Sequence, residues 1–335
     1  MFEKIIIFGL GSLGSVIAAR LKKEGYEVYG KVRNTKKKKR KIKIIGEDKV
    51  EVEIPIFDNA KNIGENDLLI LSVQPYQTLS AVAEIRKKSN PKTIIHILNG
   101  VKTHCYSLQL FQKATVIGGG AWWSATMIKE DTVFWSKKGR QVLGKLKGNK
   151  EIEKKAIEII SQAIPIQTTE NPWYDLYNKL ILNLVNAIFT LTGQYYPIGL
   201  VSPEIRELTV KSLEEGKAIL EKMHVPIEEQ INRYLEFLKL PENEFIQKMR
   251  EFPEVQRGDP HIVSSYRSYQ IHNYSGASWL SNEVIELGEQ LNIKTPYTKT
   301  IVKILNEKEK QNLLPLPPHK ALELVKKEVE NRLIK

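Results

Sequence analysis

The segment Gly9-Leu10-Gly11-Ser12-Leu13-Gly14 constrains the fold of this chain more than any other. It follows Lys4-Ile5-Ile6-Ile7-Phe8, a β-branched apolar run of the kind that a parallel sheet buries on both faces. It leads into Ser15-Val16-Ile17-Ala18-Ala19-Arg20-Leu21, whose apolar spacing suits a helix ending near Glu24-Gly25. A second strand follows at Tyr26-Glu27-Val28-Tyr29-Gly30-Lys31. In a strand–turn–helix–strand unit the three glycines have separate tasks. Gly9 permits the tight bend, Gly11 lets the backbone approach a pyrophosphate, and Gly14 lets strand and helix pack closely, with phosphates on the helix N-terminal amides. This context predicts a dinucleotide cradle made by Gly9, Leu10, Gly11, Ser12, Leu13 and Gly14.

The strand after the cradle decides which dinucleotide fits. An NAD-specific site places Asp or Glu at its end, to accept from the ribose 2′-hydroxyl. No acidic residue occurs from Val28 to Arg40, and the strand end offers Lys31, Arg33, Asn34, Thr35 and Lys36 instead. Ammonium and guanidinium groups suit a 2′-phosphate, so NADP(H) is the expected cofactor, with Lys31 and Arg33 among its ligands.

Further strands are expected at Val50 to Ile54, Asp67 to Val73 and Thr93 to Leu98, with a helix around Thr78 to Lys88. This alternation argues for an α/β fold with a doubly wound parallel sheet. After Gln167 long helical periodicities take over: Trp173 to Thr192, Pro203 to Met223, Ile227 to Leu238, Trp279 to Leu291, Thr298 to Glu307 and a final helix from His319 to Ile334. The polar, proline-bearing stretch Gln167 to Pro172 marks the boundary. The expected organisation is a Rossmann-type NADP-binding domain over residues 1–168 and an all-helical domain over 169–335.

Composition excludes other classes. The one cysteine, Cys105, leaves no intramolecular disulfide and too few thiolates for a metal cluster, and His272 has no partner at metal-ligand spacing. The apolar start reaches Gly9 before a signal-peptide core could form, and no run approaches the length that spans a bilayer, so a cytoplasmic protein without membrane contact is expected. Of the net charge of +12, seven positive charges fall in the eight positions from Lys36 to Lys43. Without interleaved aromatics or a binding module, that run is expected to be a solvated loop or frayed helix end, not a nucleic-acid surface.

A helix over Tyr177 to Phe189 is too apolar for the surface, yet Lys179, Asn183 and Asn186 stand at i, i+4 and i+7 on one face. Two readings stand: a helix-end lysine with two satisfied core amides, or a cleft facing the cofactor in which an ammonium protonates a carbonyl oxygen. A second polar segment, Ser264 to Ser275, holds hydroxyls and Arg267 without any acid, which suits either a carboxylate ligand or a polar loop and helix start.

Together these pieces resemble the ketopantoate reductase family. The resemblance is carried by Gly9 to Gly14; Val73-Gln74-Pro75-Tyr76-Gln77; Leu98-Asn99-Gly100-Val101; Gly118-Gly119-Gly120; Lys179-Leu180 with Asn183; and Ser264-Ser265 leading through Gly288 to Thr295-Pro296. It implies NADPH-dependent reduction of a small 2-oxo acid, by default ketopantoate to pantoate in pantothenate and coenzyme A biosynthesis. It also implies a homodimer through the C-terminal domain. By resemblance Lys179 is the general acid, Asn183 and Asn186 lie in the substrate cleft with Ser264 and Arg267, Asn99 lies near nicotinamide and substrate, Arg33 meets the 2′-phosphate, and Gln74 lies beside the nicotinamide. The chain departs from the family pattern in three places. Gln74 replaces a lysine, Asn186 falls one residue short of the usual spacing from Lys179, and Ser275-Gly276-Ala277-Ser278 lacks the family glutamate, with no carboxylate between Asp259 and Glu283. The alternatives are therefore a reductase of a different 2-oxo acid or imine, or a non-catalytic NADP-binding sensor.

Overall fold

The structure, a computed structural model, describes residues 2–33, 35–256 and 261–333. The chain divides into two compact units, Met1–Leu176 and Tyr177–Lys335. The N-terminal unit is built on a sheet that, among the described residues, has eleven strands: β1 (Ile5–Phe8), β2 (Val28–Lys31), β3 (Lys39–Gly46), β4 (Val50–Phe57), β5 (Leu68–Leu71), β6 (Thr93–His96), β7 (Thr115–Gly118), β8 (Ser124–Lys129), β9 (Thr132–Lys137), β10 (Gln141–Lys147) and β11 (Ile166–Thr168). Their order is β11-β10-β7-β6-β5-β1-β2-β4-β3-β9-β8. The segment from β7 to β4 is parallel, while β10 pairs antiparallel with β7, β3 antiparallel with β4 and β8 antiparallel with β9.

The pleat of β1 shows why so apolar a strand belongs here. Ile5 and Ile7 point into a core shared with α1 (Ser12–Lys23) and α4 (Lys150–Ser161), through Val16, Ile17, Leu21, Ala156 and Ile160. Ile6 and Phe8 point the other way, toward Val82 and Ile85 of α2 (Thr78–Lys88) and toward Phe111 after α3 (Val101–Leu110). Helices on both faces of a parallel sheet make a doubly wound Rossmann-type fold.

The basic run departs from expectation. From Lys39 onward it is neither loop nor frayed helix but strand β3, because Lys-Arg-Lys-Ile-Lys-Ile alternates with period two. Ile42 and Ile44 are buried, while Lys39, Lys41 and Lys43 face out. The antiparallel neighbour β4 answers with Glu51 and Glu53, which pair with Lys41 at 2.6 Å and Lys39 at 2.8 Å. Two of the three outward lysines are thus neutralised across strands.

The C-terminal unit is helical, with α5 (Pro172–Leu182) entering it, then α6 (Leu184–Thr192), α7 (Pro203–Lys222), α8 (Glu229–Leu238), α9 (Glu242–Met249), α10 (Pro253–Gln256), α11 (Ser264–His272), α12 (Ala277–Leu291), α13 (Pro296–Lys310) and α14 (Pro318–Leu333). Tyr195–Tyr196 and His261–Ile262 form a short antiparallel pair. Every residue of α6 except Asn186 is buried, and the helix packs against α7, α11, α12, α13 and α14. The expected single helix over Trp173 to Thr192 is broken at Asn183, where ψ opens to −10°. Glu215 of α7 accepts from the backbone N–H of Tyr297 at 2.7 Å and Thr298 at 2.8 Å, capping the start of α13. Burial raises the Glu215 pKa, against these hydrogen bonds. Among the described residues no helix is long and apolar enough to cross a membrane.

Two histidines lie buried at the carboxyl side of the sheet. His96, ending β6, and His104 of α3 stack with ring centroids 4.6 Å apart. His96 Nε2 lies 2.9 Å from Ser107 Oγ, and His104 Nδ1 lies 2.7 Å from the Gly100 carbonyl, which it meets as donor. Burial holds both neutral: His96 well below its ordinary range, and His104 lowered to about 4 despite the Gly100 bond. Between roughly pH 6.5 and 4 the unfolded chain therefore takes up protons that the fold refuses, so stability falls as pH falls. Unfolding free energies from denaturant titrations at pH 7 and pH 5 should differ by about 2 kcal/mol from His104 alone, and His104→Gln should shrink that difference. A pH-independent midpoint would contradict the buried neutral pair.

Candidate active site

The glycine turn is held by sterics. Gly9 has φ +103°, in the region that favours glycine. A Cβ on Gly14 would stand 2.2 Å from the Gly9 carbonyl oxygen and 2.3 Å from Ser72 Oγ, so α1 approaches β1 only because Gly14 has no side chain. Gly11 is different: it is exposed, and no protein atom lies within 4 Å of where its Cβ would be. It precedes the first turn of α1, which holds no acidic residue and whose amides are suited to a phosphate.

A cavity of about 610 Å³ opens at this turn, lined by Gly9, Leu10, Gly11, Lys31, Arg33 and Gln74 from the expected set. Ser12, Leu13 and Gly14 stand behind it, with the Ser12 hydroxyl accepting from the Met127 backbone N–H at 3.0 Å. Asn34 falls outside the described residues. Two lining residues escape sequence reasoning, Arg40 and Glu84. Arg40 points inward from β3, donating to the Leu10 carbonyl at 3.1 Å and the Glu130 carbonyl at 2.6 Å, while its buried Nε has no hydrogen-bond partner among the described residues. Desolvation lowers its pKa, with Glu130 and Asp131 opposing. The alternation of the lysine run was the signal that could have found it. Glu84, on α2, pairs with Lys31 at 2.7 Å and brings an acid to a strand end that has none in sequence. Arg33 is exposed, and its charge reaches Tyr76, whose pKa burial raises. The cavity thus presents three cations and one carboxylate.

Asn99, in the loop after β6, keeps its Oδ1 buried without a hydrogen-bond partner among the described residues. Nearby in sequence to the glycine triplet, Gly120 N–H and the Trp122 indole N–H donate to Asp175 at 2.5 and 2.8 Å, a buried carboxylate from the first turn of α5.

In the C-terminal unit, Lys179 is half-buried in the last turn of α5. Asn183 is buried; its Oδ1 accepts from Asn186 Nδ2 at 3.3 Å, while its own Nδ2 has no hydrogen-bond partner among the described residues. The polar line continues from the Asn186 carbonyl to Thr190 Oγ1 at 2.7 Å and on to Ser265 Oγ at 2.7 Å. The structure therefore brings Ser265, not Ser264, to this line, at Thr190: Ser264 is exposed at the start of α11, and half-buried Arg267 donates to Gln270 at 3.3 Å on the same helix. Of the two readings of Ser264 to Ser275, a polar helix start describes the geometry, with Tyr266 and Tyr269 buried. The carboxylate absent from this stretch of sequence has a tertiary neighbour, since Glu309 of α13 accepts from the Ser275 N–H at 2.5 Å.

The model of the family described as Ketopantoate reductase PanE/ApbA matches residues 5–148, and that of its C-terminal part, Ketopantoate reductase PanE/ApbA C terminal, matches residues 172–309. The chain belongs to the ketopantoate reductase family. Membership makes it an oxidoreductase acting on a CH–OH group, with a Rossmann-type unit for a nicotinamide dinucleotide and substrates drawn from small 2-oxo acids. It is similar to the 2-dehydropantoate 2-reductase of Aquifex aeolicus (strain VF5), at 24% identity over 328 residues, 93% of this chain and 99% of that one. In fold it is similar to a D-mandelate dehydrogenase solved with NADH and anilino(oxo)acetate (TM-score 0.75, 18% identity, 92% and 98% covered). It is likewise similar to a dimeric ketopantoate reductase from Staphylococcus aureus (TM-score 0.69, 18% identity, 92% and 99% covered).

For this member of the ketopantoate reductase family the two inner glycines should fail differently. Gly14→Ala should cost several kcal/mol and yield little folded protein, because backbone must move. Gly11→Ala should fold with an unchanged melting temperature yet bind the dinucleotide at least tenfold more weakly, about 1.4 kcal/mol. Equal melting temperatures for the two variants would refute the steric assignment.

Proposed function

We propose that this chain reduces a small 2-oxo acid with NADPH, with ketopantoate as the default substrate. The observation that carries the reading is that the two asparagines expected to meet cofactor and substrate, Asn99 and Asn183, each keep a buried polar atom without a protein partner. Buried amides are ordinarily satisfied, and each such orphan costs about 1–3 kcal/mol until a ligand meets it. In this reading residues 1–168 hold the cofactor, and residues 169–335 serve substrate and dimerisation.

The glycine cradle and the first-turn amides of α1 take the pyrophosphate, and Arg33, with Arg40 beside the turn, favours the 2′-phosphate. When bound, the reduced nicotinamide supplies hydride to the carbonyl carbon. Lys179 gives its proton to the carbonyl oxygen as negative charge develops there, which makes it the general acid. Asn183 orients the same substrate through its free Nδ2. Asn186 supports Asn183, and the line through Thr190 to Ser265 holds both in place. A homodimer is proposed on the example of the dimeric Staphylococcus aureus relative.

One observation favours a different 2-oxo acid. Gly276, where the family carries glutamate, has φ +65°, so a glutamate there would be strained as well as newly charged. On this reading the substrate meets no carboxylate from position 276, and Gly276→Glu would strain the backbone there.

The cofactor reading predicts NADP(H) bound at least tenfold more tightly than NAD(H), with Arg33→Ala erasing most of the difference. Calorimetric titration of both dinucleotides measures this, and equal wild-type affinities would refute it. The mechanism predicts that Lys179→Ala lowers kcat by roughly 10²- to 10⁴-fold in an NADPH-oxidation assay over a panel of 2-oxo acids, with NADPH affinity preserved. Full activity of that variant on the best substrate would exclude the general-acid role.

A further inference from the structure

We propose that Glu84 is a cofactor-selecting residue. Its carboxylate accepts the adenosine ribose hydroxyls of NAD(H) and holds Lys31 away from the 2′-phosphate of NADP(H), so it narrows the preference between the two. The proposal rests on the dinucleotide reading of the same cavity. Lys31 is the last residue of β2, the strand end where this fold sets the group that reads the 2′-position. Its ammonium is 2% exposed, lies 4.4 Å from the Phe8 ring centre and sits 2.7 Å from Glu84 Oε2. Glu84 reaches that point from α2, lines the cavity and keeps 27% of its side chain exposed. A carboxylate therefore stands where an NAD-specific enzyme carries one, although no acidic residue occurs from Val28 to Arg40.

The charge arithmetic makes the two effects separable. Burial works to raise the Glu84 pKa, but the hydrogen bond and charge of Lys31, with Lys88 beyond, outweigh it and leave the group ionised. An ionised carboxylate repels a 2′-phosphate and accepts from a 2′-hydroxyl. Lys31 pairs its charge with Glu84, which leaves Arg33 and Arg40 as the lining cations outside that ion pair. A purely structural Glu84, present only to pair a buried lysine, would alter stability and leave the selection between dinucleotides alone.

The test measures dissociation constants for NADPH and NADH on the full-length wild type and on Glu84→Gln, whose amide still accepts from Lys31. The ratio Kd(NADH)/Kd(NADPH) should rise at least fivefold, with NADPH bound more tightly and NADH more weakly. A ratio within twofold of wild type in a folded variant overturns the proposal. Should Glu84→Gln fail to fold, Lys31→Met combined with Glu84→Gln removes the unpaired buried charge. The ratio should rise there too, and an unchanged ratio again overturns it. If the wild type binds NADH more tightly, the NADP(H) reading fails by itself, while a rise in the ratio on removing Glu84 still upholds the selecting role.

Discussion

Everything at the phosphate end of the N-terminal unit depends on how closely α1 approaches β1. The Gly9 carbonyl occupies the space that a side chain at position 14 would fill, and Ser72 at the end of β5 donates to that same carbonyl at 3.0 Å. The turn is thereby fixed between two strands before any ligand arrives. Two peripheral strands complete the brace: Arg40 of β3 and Ser15 of α1 both donate to the Leu10 carbonyl, and the Met127 N–H of β8 donates to Ser12. Each bond is worth only about 1 kcal/mol net. Their collective effect is a turn with little freedom left to lose, which on the proposed reading is where a preorganised phosphate site gains affinity.

The same economy explains the lysine run. Exposed ion pairs such as Lys39 with Glu53 and Lys41 with Glu51 are screened by solvent and contribute little, whereas burying Ile42 and Ile44 contributes roughly 1.5–3 kcal/mol each. The strand exists for its isoleucines. The acids of β4 remove the repulsion that a row of lysines would otherwise impose and favour one register of the antiparallel pair. With the lysines committed outward, Arg40 is committed inward, so a residue beside the nucleotide cavity follows from the pleat of a strand that composition alone reads as loop.

What sequence made legible was local. The glycine turn, the strands buried on both faces and the long helices of the second unit all follow from periods of two and 3.6 and from backbone sterics, and the structure has them. What it hid was tertiary. Glu84 lies 53 residues beyond Lys31 in the chain, and no rule about strand ends could bring it there. Glu309 likewise reaches Ser275 across 34 residues, in a region whose own sequence is free of acids. The break at Asn183 is intermediate. Helix periodicity runs straight through it, yet an asparagine amide competes with the backbone, and its engagement with Asn186 coincides with the opened turn. Between Ser264 and Ser265, one step in register decides which hydroxyl faces α6, and a polar segment with serines at both positions cannot announce the choice.

The orphaned amides also sort the ligands they can meet. Asn183 is left with an unpaired donor, its Nδ2, while Asn99 is left with an unpaired acceptor, its Oδ1. A 2-oxo acid presents acceptors at its carbonyl and carboxylate oxygens, so it can satisfy Asn183 but not Asn99. Asn99 needs a donor, and the carboxamide N–H of a nicotinamide or a hydroxyl elsewhere on the substrate supplies one. On the proposed reading the two asparagines therefore answer different molecules, Asn183 the substrate and Asn99 the cofactor or the substrate's hydroxyl. A 2-oxo acid that carries a hydroxyl, as ketopantoate does, can recover both desolvation costs where a plain one recovers only the first.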